Sequence, residues 1–161
     1  MDQIPTHTPD LAEGLAECRP TILLVDDNEQ NLELLQAYLE DLPCKVQVAR
    51  DGVEALEQVK ALDPDLVVLD VMMPRMSGFQ VCERIKGDPA TREIPVVMVT
   101  ALNEVGDVER AVDAGTDDFL TKPVNRLELV TRVTSLLRVR QLKRQLDNAV
   151  RMAEDMRRQE G

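Results

Sequence analysis

Polar side chains stand directly after four short apolar runs of this sequence. They are Asp26 and Asp27, Asp70, Thr100 and Lys122. Neighbouring carboxylates repel one another unless a proton or a cation lies between them. A hard divalent ion is the usual solution, and Mg²⁺ commonly takes one or two carboxylates together with water and a phosphate. If the fold brings the three aspartates together, they predict a Mg²⁺ site, at which Mn²⁺ is a possible substitute.

The same residues could support phosphoryl chemistry. A carboxylate beside such an ion can attack phosphorus and form an aspartyl-phosphate. The arriving phosphoryl oxygens then need counter-charge and hydrogen-bond donors, which the Lys122 ammonium and the Thr100 hydroxyl would supply. Asp70 is the predicted nucleophile, because it ends the central predicted strand and a loop follows it.

The apolar runs alternate with helical patterns along the chain. Strands are predicted at residues 21–25, 46–49, 66–69, 95–99 and 119–121, and Asn28 and Asn125 are predicted helix N-caps. Five strands alternating with five helices indicate an α/β fold with a parallel sheet covered on both faces. The predicted class is a flavodoxin-like, doubly wound sheet of order 2-1-3-4-5 with an extended C-terminal helix. Ligands of such sheets bind beyond the carboxyl ends of the strands, where the polar side chains stand.

The first four helical patterns each carry a set of apolar side chains, and in the first pattern these share one face. These side chains are Leu32, Leu35 and Leu39; Val53, Leu56 and Val59; Phe79, Cys82 and Ile85; and Val108, Ala111 and Val112. Aromatic residues make up only 2% of the chain, so the core must be aliphatic and aromatic stacking platforms for single-stranded nucleic acid are absent.

The charge of the chain is unevenly distributed. Its 161 residues fit one domain and carry a formal net charge of −11. Residues 138–161 hold seven basic and four acidic residues, so the acidic surplus belongs to residues 1–137. An acidic surplus argues against direct nucleic-acid binding, which needs basic residues to release phosphate counterions.

Cysteine spacing and hydropathy bear on the compartment. Cys18, Cys44 and Cys82 form no CxxC motif, so we predict neither a zinc site nor a disulfide framework. The sequence shows no ordinary signal peptide and no apolar run near the roughly 18 residues of a membrane span. We therefore predict a cytoplasmic protein with no membrane contact.

Four segments resemble the response-regulator receiver domain of two-component signal transduction. They are TILLVDDN, DLVVLDVMMP, VMVTA and FLTKP, which contain Asp26, Asp70, Thr100 and Lys122 respectively. The resemblance covers roughly residues 20–138. It implies that Asp70 accepts a phosphoryl group from a histidine kinase or a phosphotransfer protein. It also implies a signalling protein rather than an enzyme, one that can catalyse its own phosphorylation and dephosphorylation.

The resemblance implies a metal role for four residues. Asp27 and Asp70 would bind Mg²⁺ directly, and Asp26 would act largely through water. Met72 would contribute its backbone carbonyl.

The resemblance also implies how the signal is read. Thr100 and Lys122 would contact the phosphoryl group. Thr100 would then move inward and Phe119, the switch aromatic, would repack. The surface formed by the fourth helix, fifth strand and fifth helix would change. The bond before Pro123 would be cis, which costs little for an X–Pro bond.

Some residues depart from the usual pattern of the family. Phe119 stands where Tyr is commoner, so a switch that uses a phenol hydroxyl is in doubt. Arg75 and Ser77 replace the Gly and Asp often found after the phosphorylated residue. Met72 and Leu102 are apolar at the positions that tune water access, so we expect slow self-dephosphorylation.

The last predicted helix runs past the receiver-like segment. We divide the chain into a leader at 1–19, a receiver at 20–138 and an extended helix at 139–161. An a/d pattern continues along the extended helix through Val139, Leu142, Leu146, Ala149, Ala153 and Met156. It predicts a short parallel coiled coil in a homodimer, or a signalling helix that leads to a further domain; a frayed, solvated helix is the alternative. The surface of helix 4, strand 5 and helix 5 is a second candidate for self-association.

Three other functions compete with a lone receiver. The chain could be the N-terminal receiver of a longer regulator with an enzymatic output such as cyclic-dinucleotide signalling. A metal-dependent phosphohydrolase of the haloacid-dehalogenase type would need a second aspartate where Met72 stands. A flavin carrier would need a Gly-rich phosphate loop where the chain has Asp26 and Asp27.

Overall fold

A five-stranded parallel sheet forms the centre of the protein in a computed structural model that describes residues 19–101 and 105–160. The strands are β1 (Thr21–Val25), β2 (Lys45–Ala49), β3 (Leu66–Asp70), β4 (Val96–Thr100) and β5 (Asp118–Thr121). They lie in the order β2-β1-β3-β4-β5, and every neighbouring pair is parallel. The predicted fold and strand order are confirmed.

Helices follow the strands in turn. They are α1 (Glu29–Leu39), α2 (Gly52–Leu62), α3 (Gly78–Gly87), α4 (Val105–Asp113) and α5 (Arg126–Glu160). The Asn28 side chain accepts hydrogen bonds from two backbone N–H groups of the first turn of α1, and the Asn125 side chain does the same for α5. Both predicted N-caps are therefore confirmed.

Two apolar layers cover the two faces of the sheet. One lies under α1 and α5, where Leu32, Leu35 and Leu39 are buried as predicted. The other lies under α2, α3 and α4 and includes the predicted Val59, Phe79, Cys82, Ile85 and Ala111. All residues of β3 and β4 are buried, as expected for strands covered on both faces.

Three of the apolar side chains of α2 and α4 are exposed. Val53, Val108 and Val112 lie at the surface. In α2 and α4 the smaller Ala55 and Ala111 face the sheet. Val53 and Val112 lie about 200° and 100° around their helices from Ala55 and Ala111, so both side chains face solvent.

Helix α5 is much longer than the other helices. Its first turns pack on the sheet through Leu129, Val133 and Leu137, which are buried. It continues without a break to Glu160 over 35 residues, and the long C-terminal helix is thus confirmed. Residues 139–160 of α5 are called the extension below.

Two predictions concern residues outside the described ranges. They are the leader, except for Arg19, and the apolar residue Leu102. Among the described residues, none of the helices combines the length and apolar character needed to cross a membrane.

Candidate functional site

Four of the predicted site residues lie at the carboxyl edge of the sheet. Asp26 follows β1, Asp70 ends β3, Thr100 ends β4 and Lys122 follows β5. Because β3 lies between β1 and β4, Asp70 is placed at the centre of this edge. Asp26, Asp70 and Thr100 are only 2%, 3% and 1% exposed, respectively. Buried polar residues at three neighbouring strand ends mark this edge as the candidate site.

The three aspartates come together at this edge. One carboxylate oxygen each from Asp26, Asp27 and Asp70 lie within 4.8 Å of one another. Asp27 is exposed, whereas Asp26 is held in place because its Oδ1 accepts a 2.9 Å hydrogen bond from the backbone N–H of Asn28. A compact set of carboxylate oxygens open to solvent on one side matches the ligands that Mg²⁺ prefers.

Lys122 reaches the aspartate cluster from β5. Its Nζ lies 3.1 Å from Oδ1 of Asp70, and the two groups form an ion pair. Burial of the Asp70 carboxyl, reinforced by the charge of Asp26, raises its pKa above the usual value. Lys122 and the backbone N–H of Met72 oppose this rise but do not cancel it. The site therefore favours an added positive charge near Asp70.

Two buried oxygens of the site have no hydrogen-bond partner among the described residues. They are Oδ1 of Asp70 and Oγ1 of Thr100. Buried polar atoms are nearly always paired in folded proteins, and an unpaired one indicates a ligand, an ion or water. A buried hydroxyl without a partner, next to a buried carboxylate that is ion-paired with Lys122, fits the oxygens and charge of a phosphoryl–metal group.

Comparison with known proteins identifies the family. The family model for the response regulator receiver domain matches residues 22–134. The chain belongs to the response-regulator receiver family. Response regulator PleD of Caulobacter vibrioides is 49% identical over 117 residues, which are 73% of this chain and 26% of PleD.

A second relative and a solved structure agree with this assignment. The DNA-binding dual master transcriptional regulator RpaA of Synechocystis is 42% identical over 119 residues, which are 74% of this chain and 49% of RpaA. The receiver domain of a signal transduction histidine kinase from Syntrophus aciditrophicus has a TM-score of 0.70 and 38% identity, covering 73% of this chain and 89% of that one. The chain thus spans about a quarter to a half of the two relatives.

The loop between Asp70 and α3 contains Met72, Arg75 and Ser77, which the sequence singled out. The predicted carbonyl donor Met72 lies in this loop, and its side chain is exposed. Ser77 caps α3 in a reciprocal capping box with Gln80. Arg75, the other departure from the family pattern, takes a left-handed conformation with φ of 69°.

Gly78 is a site residue that sequence analysis did not single out. Its backbone N–H donates to the Val71 carbonyl over 2.9 Å. A Cβ at this position would lie 2.8 Å from Cα of Val71 and closer still to the carbonyl oxygen of Asp70. Only glycine lets α3 start this close to Asp70. The available signal was a glycine placed immediately after a serine N-cap.

Phe119 lies on β5, and Lys122 and Pro123 follow that strand. Phe119 is partly buried and packs against the layer under α2, α3 and α4. The Lys122–Pro123 bond is cis, which confirms that prediction.

An apolar groove of about 400 Å³ adjoins the site and was not predicted from the sequence. Its lining residues are Asp26, Asn31, Leu34, Leu35, Val99, Lys122, Pro123 and Val124. Leu34 is exposed at its rim. The groove therefore places an exposed apolar surface next to two charged residues of the site.

Proposed function

We propose that this receiver accepts a phosphoryl group on Asp70 from a phosphohistidine of a histidine kinase or phosphotransfer protein. The observation that carries the proposal is the buried Thr100 Oγ1, which lacks a hydrogen-bond partner among the described residues, beside the buried Asp70 carboxylate and the Lys122 ammonium that forms an ion pair with it. Such a site lacks one anionic, oxygen-rich group and its counter-ion. The chain acts in signalling, and any catalysis concerns its own phosphoryl group.

The proposed transfer is an in-line displacement. A carboxylate oxygen of Asp70 forms a bond to phosphorus while the bond from phosphorus to the donor imidazole nitrogen breaks. The electron pair of that bond stays on the imidazole, which takes up a proton. The Thr100 hydroxyl would donate to one phosphoryl oxygen, and the Lys122 ammonium would offset the charge on another.

We propose that Asp27 and Asp70 hold Mg²⁺ with the Met72 carbonyl, and that Asp26 acts through water. The contact among the three carboxylates supports this ligand set. Mn²⁺ prefers the same oxygen ligands and would substitute. When bound, the ion offsets negative charge between the carboxylates and the incoming phosphoryl oxygens.

We propose that a helix of the donor protein packs in the groove beside Asp26 and Lys122. Leu34, Leu35 and Val124 give the groove apolar walls, and its charged end adjoins Asp70. An amphipathic helix that presents its histidine at the edge of an apolar face would fit this combination.

The output of phosphorylation would be a change of surface. We propose that Thr100 moves towards the phosphoryl group and Phe119 repacks, which alters the face formed by α4, β5 and α5. We also propose that the protein self-associates through this face or through α5. We further propose that it is cytoplasmic, that it does not bind nucleic acid directly and that it dephosphorylates itself slowly. The division into leader, receiver and extension is part of it as well.

A longer regulator is the second candidate. PleD and RpaA both extend well beyond the segment that matches this chain. As the alternative, we propose that an output domain, such as one for cyclic-dinucleotide signalling, follows the extension in the native protein.

Incubation with a small phosphodonor tests the core proposal. Intact mass should show one phosphoryl adduct in the presence of Mg²⁺, and chelation of the metal should abolish it. Asp70→Ala should show no adduct, whereas Asp147→Ala, on the exposed part of α5, should behave as the parent chain. An adduct that persists in Asp70→Ala would overturn the assignment of the acceptor.

A further inference from the structure

An ion pair lies beside the aspartate cluster, on the side of β2. Nε and Nη2 of Arg50 donate to the two carboxylate oxygens of Glu29, each over 2.8 Å. One guanidinium therefore engages both oxygens of the carboxylate. Such a paired contact fixes the plane and the direction of the carboxylate, which a lysine ammonium would not do. Glu29 is thus held in one orientation, towards Arg50.

Both members of the pair come from the carboxyl edge of the sheet. Glu29 begins α1 two residues after Asp27, and Arg50 follows the last residue of β2. The ends of β1 and β2 are joined there, because the backbone N–H of Asp26 donates to the Ala49 carbonyl over 3.1 Å. Glu29 is therefore a fourth carboxylate next to a site that already contains three.

The fourth carboxylate is kept out of the aspartate cluster. Among the described residues, the group of carboxylate oxygens that lie within 4.8 Å of one another comprises Asp26, Asp27 and Asp70 and leaves Glu29 out. Asp27 is exposed, so the cluster is open to solvent next to the start of α1. A released Glu29 would be the additional carboxylate closest in sequence to the three aspartates.

Arg50 is anchored from its other side. Its backbone N–H donates to Oε2 of Glu54 over 3.1 Å, and the backbone N–H of Glu54 donates to the Asp51 carboxylate over 2.8 Å. These bonds tie the backbone of Arg50 to the first turn of α2. The guanidinium is therefore presented to Glu29 from a fixed backbone position.

The pair adds little to the stability of the fold. The side chains of Arg50 and Glu29 are 51% and 58% exposed, and ion pairs with that exposure are largely screened by water. The main consequence of the pair is therefore local. It decides where the Glu29 carboxylate points, and so how many carboxylate oxygens surround an ion at the aspartate cluster.

The number of carboxylates discriminates between Mg²⁺ and Ca²⁺. Mg²⁺ requires a near-octahedral shell, retains several waters and is usually bound through one or two carboxylates. Ca²⁺ is larger, takes roughly six to eight oxygens and accepts carboxylates that bind through both oxygens. An added glutamate therefore improves a site for Ca²⁺ more than for Mg²⁺.

We propose that Arg50 is a positioning residue that holds Glu29 away from the bound ion and so favours Mg²⁺ over Ca²⁺. The inference rests on the proposed metal site of Asp27, Asp70 and the Met72 carbonyl. Without the guanidinium, the Glu29 carboxylate would be free to turn from β2 towards the open side of the cluster. It would then supply one or two further oxygen ligands, which Ca²⁺ accommodates and Mg²⁺ does not need.

Titration of the full chain with each ion tests the inference. Backbone amide NMR shifts give the dissociation constants of Mg²⁺ and Ca²⁺ for the parent chain, for Arg50→Ala and for Arg50→Ala combined with Glu29→Gln. We expect Arg50→Ala to lower the dissociation constant of Ca²⁺ about tenfold and that of Mg²⁺ less than about threefold. The double variant should return both constants to within about twofold of the parent values, because it removes the fourth carboxylate and restores the parent net charge.

Arg75→Ala is the matched control for charge. Arg75 lies in the loop after Asp70, is exposed and forms no ion pair with another described residue. Its removal takes one positive charge from the neighbourhood of the site and releases no carboxylate. It should therefore change the affinity for the two ions equally and leave the ratio of their dissociation constants within about twofold of the parent ratio.

Each other result decides against the inference. An unchanged ratio in Arg50→Ala, beside a parent chain that binds Mg²⁺, would overturn the role of Arg50 and leave the metal site standing. A gain in Ca²⁺ affinity that survives Glu29→Gln, or an equal gain in Arg75→Ala, would show that Glu29 is not the added ligand. A parent chain that binds neither ion would overturn the proposed metal site, and the inference with it.

Discussion

Two charged clusters lie at opposite edges of the same sheet and are built in opposite ways. At the carboxyl edge, three aspartates face one lysine, and the buried Thr100 hydroxyl has no hydrogen-bond partner among the described residues. At the other edge, basic side chains of the extension face acidic side chains of the receiver in a set that we call the ionic clamp: Arg140, Lys143 and Arg144 with Asp63, Asp65 and Glu93. Each cluster contains a buried ionisable residue whose pKa is shifted in the direction that favours its neutral form. Burial raises the pKa of Asp70 and lowers the pKa of Arg140.

The difference shows how charge serves function in one cluster and structure in the other. A cluster with surplus negative charge costs stability until a cation or a proton arrives, so it is suited to binding. A cluster whose charges are balanced within the chain attracts no further ion and instead fixes the helix that crosses it, although Nε of Arg140 is also buried without a hydrogen-bond partner. Each of the following predictions tests this contrast by changing one cluster at a time.

The largest loss of stability is expected at Gly78, where the start of α3 lies against the backbone of Asp70 and Val71. Gly78→Ala should lower the free energy of unfolding by about 2–3 kcal/mol, because its methyl group would overlap Val71 and the Asp70 carbonyl. Urea unfolding measures this loss. Gly87→Ala in the same helix is the control, since a Cβ there meets nothing within 4 Å and should be neutral or slightly stabilising. Equal losses in both variants would contradict the close approach.

Breaking the clamp should have the next largest effect. Arg140→Ala should cost about 2 kcal/mol of unfolding free energy, because it leaves the acids near it without their buried partner. The cost stays below that of a fully buried pair because Asp63 is 67% exposed. Arg144→Ala, whose side chain is 51% exposed, should cost under about 1 kcal/mol in the same urea experiment. An equal cost for the two arginines would show that burial does not set the strength of the clamp.

The same substitution should act in opposite directions in the two clusters. Without Mg²⁺ at neutral pH, Asp70→Asn should raise the unfolding free energy by roughly 1 kcal/mol, whereas Asp65→Asn should lower it by a similar amount. Asp70 has surplus neighbours of its own charge, and Asp65 pairs with arginine and accepts from Thr21. Chemical unfolding of both variants beside the parent chain measures the two signs, and a common sign would refute the contrast.

The higher unfolding free energy expected for Asp70→Asn, relative to the parent chain, should depend on pH and on Mg²⁺. Because the folded-state pKa of Asp70 is raised, the parent chain loses stability as pH rises from the usual value of 3.8 through the folded value. The difference in unfolding free energy between Asp70→Asn and the parent chain should therefore be largest at neutral pH. It should vanish when the pH is below the usual pKa of an aspartate. Mg²⁺ should stabilise the parent chain by about 1.4 kcal/mol at ten times its dissociation constant and the variant much less. A gap that is independent of pH and Mg²⁺ would exclude charge repulsion as its cause.

The smallest effect is expected at the exposed end of the clamp. Lys143→Ala should change the unfolding free energy by no more than a few tenths of a kcal/mol, because both partners of its ion pair with Glu93 are more than 60% exposed. Urea unfolding at low and high salt measures this contribution. A loss as large as that of Arg140→Ala would mean that the outer pair helps to hold the extension.

The sequence was sufficient where the deciding interactions are local. Apolar runs and the Asn28 and Asn125 caps depend on neighbours within a few residues, and both caps are present. The predicted bounds of β4 differ from the observed ones by one residue, because the strand runs Val96–Thr100 and not 95–99. The sequence did not reveal that Val53 is exposed, because the spacing of apolar residues alone does not show which side of the helix packs on the sheet.

The sequence by itself determined the order of strands and helices and the placing of carboxylates at strand ends, because both follow from local patterns and the chirality of parallel crossovers. Only the tertiary structure decided which oxygens of Asp70 and Thr100 stay unpaired, because that depends on neighbours from three strands. It also decided that Arg140 is buried, since its partners Asp63, Asp65 and Glu93 are far from it in the chain. Charge can be counted from the sequence, but whether a charge is already compensated is settled by packing.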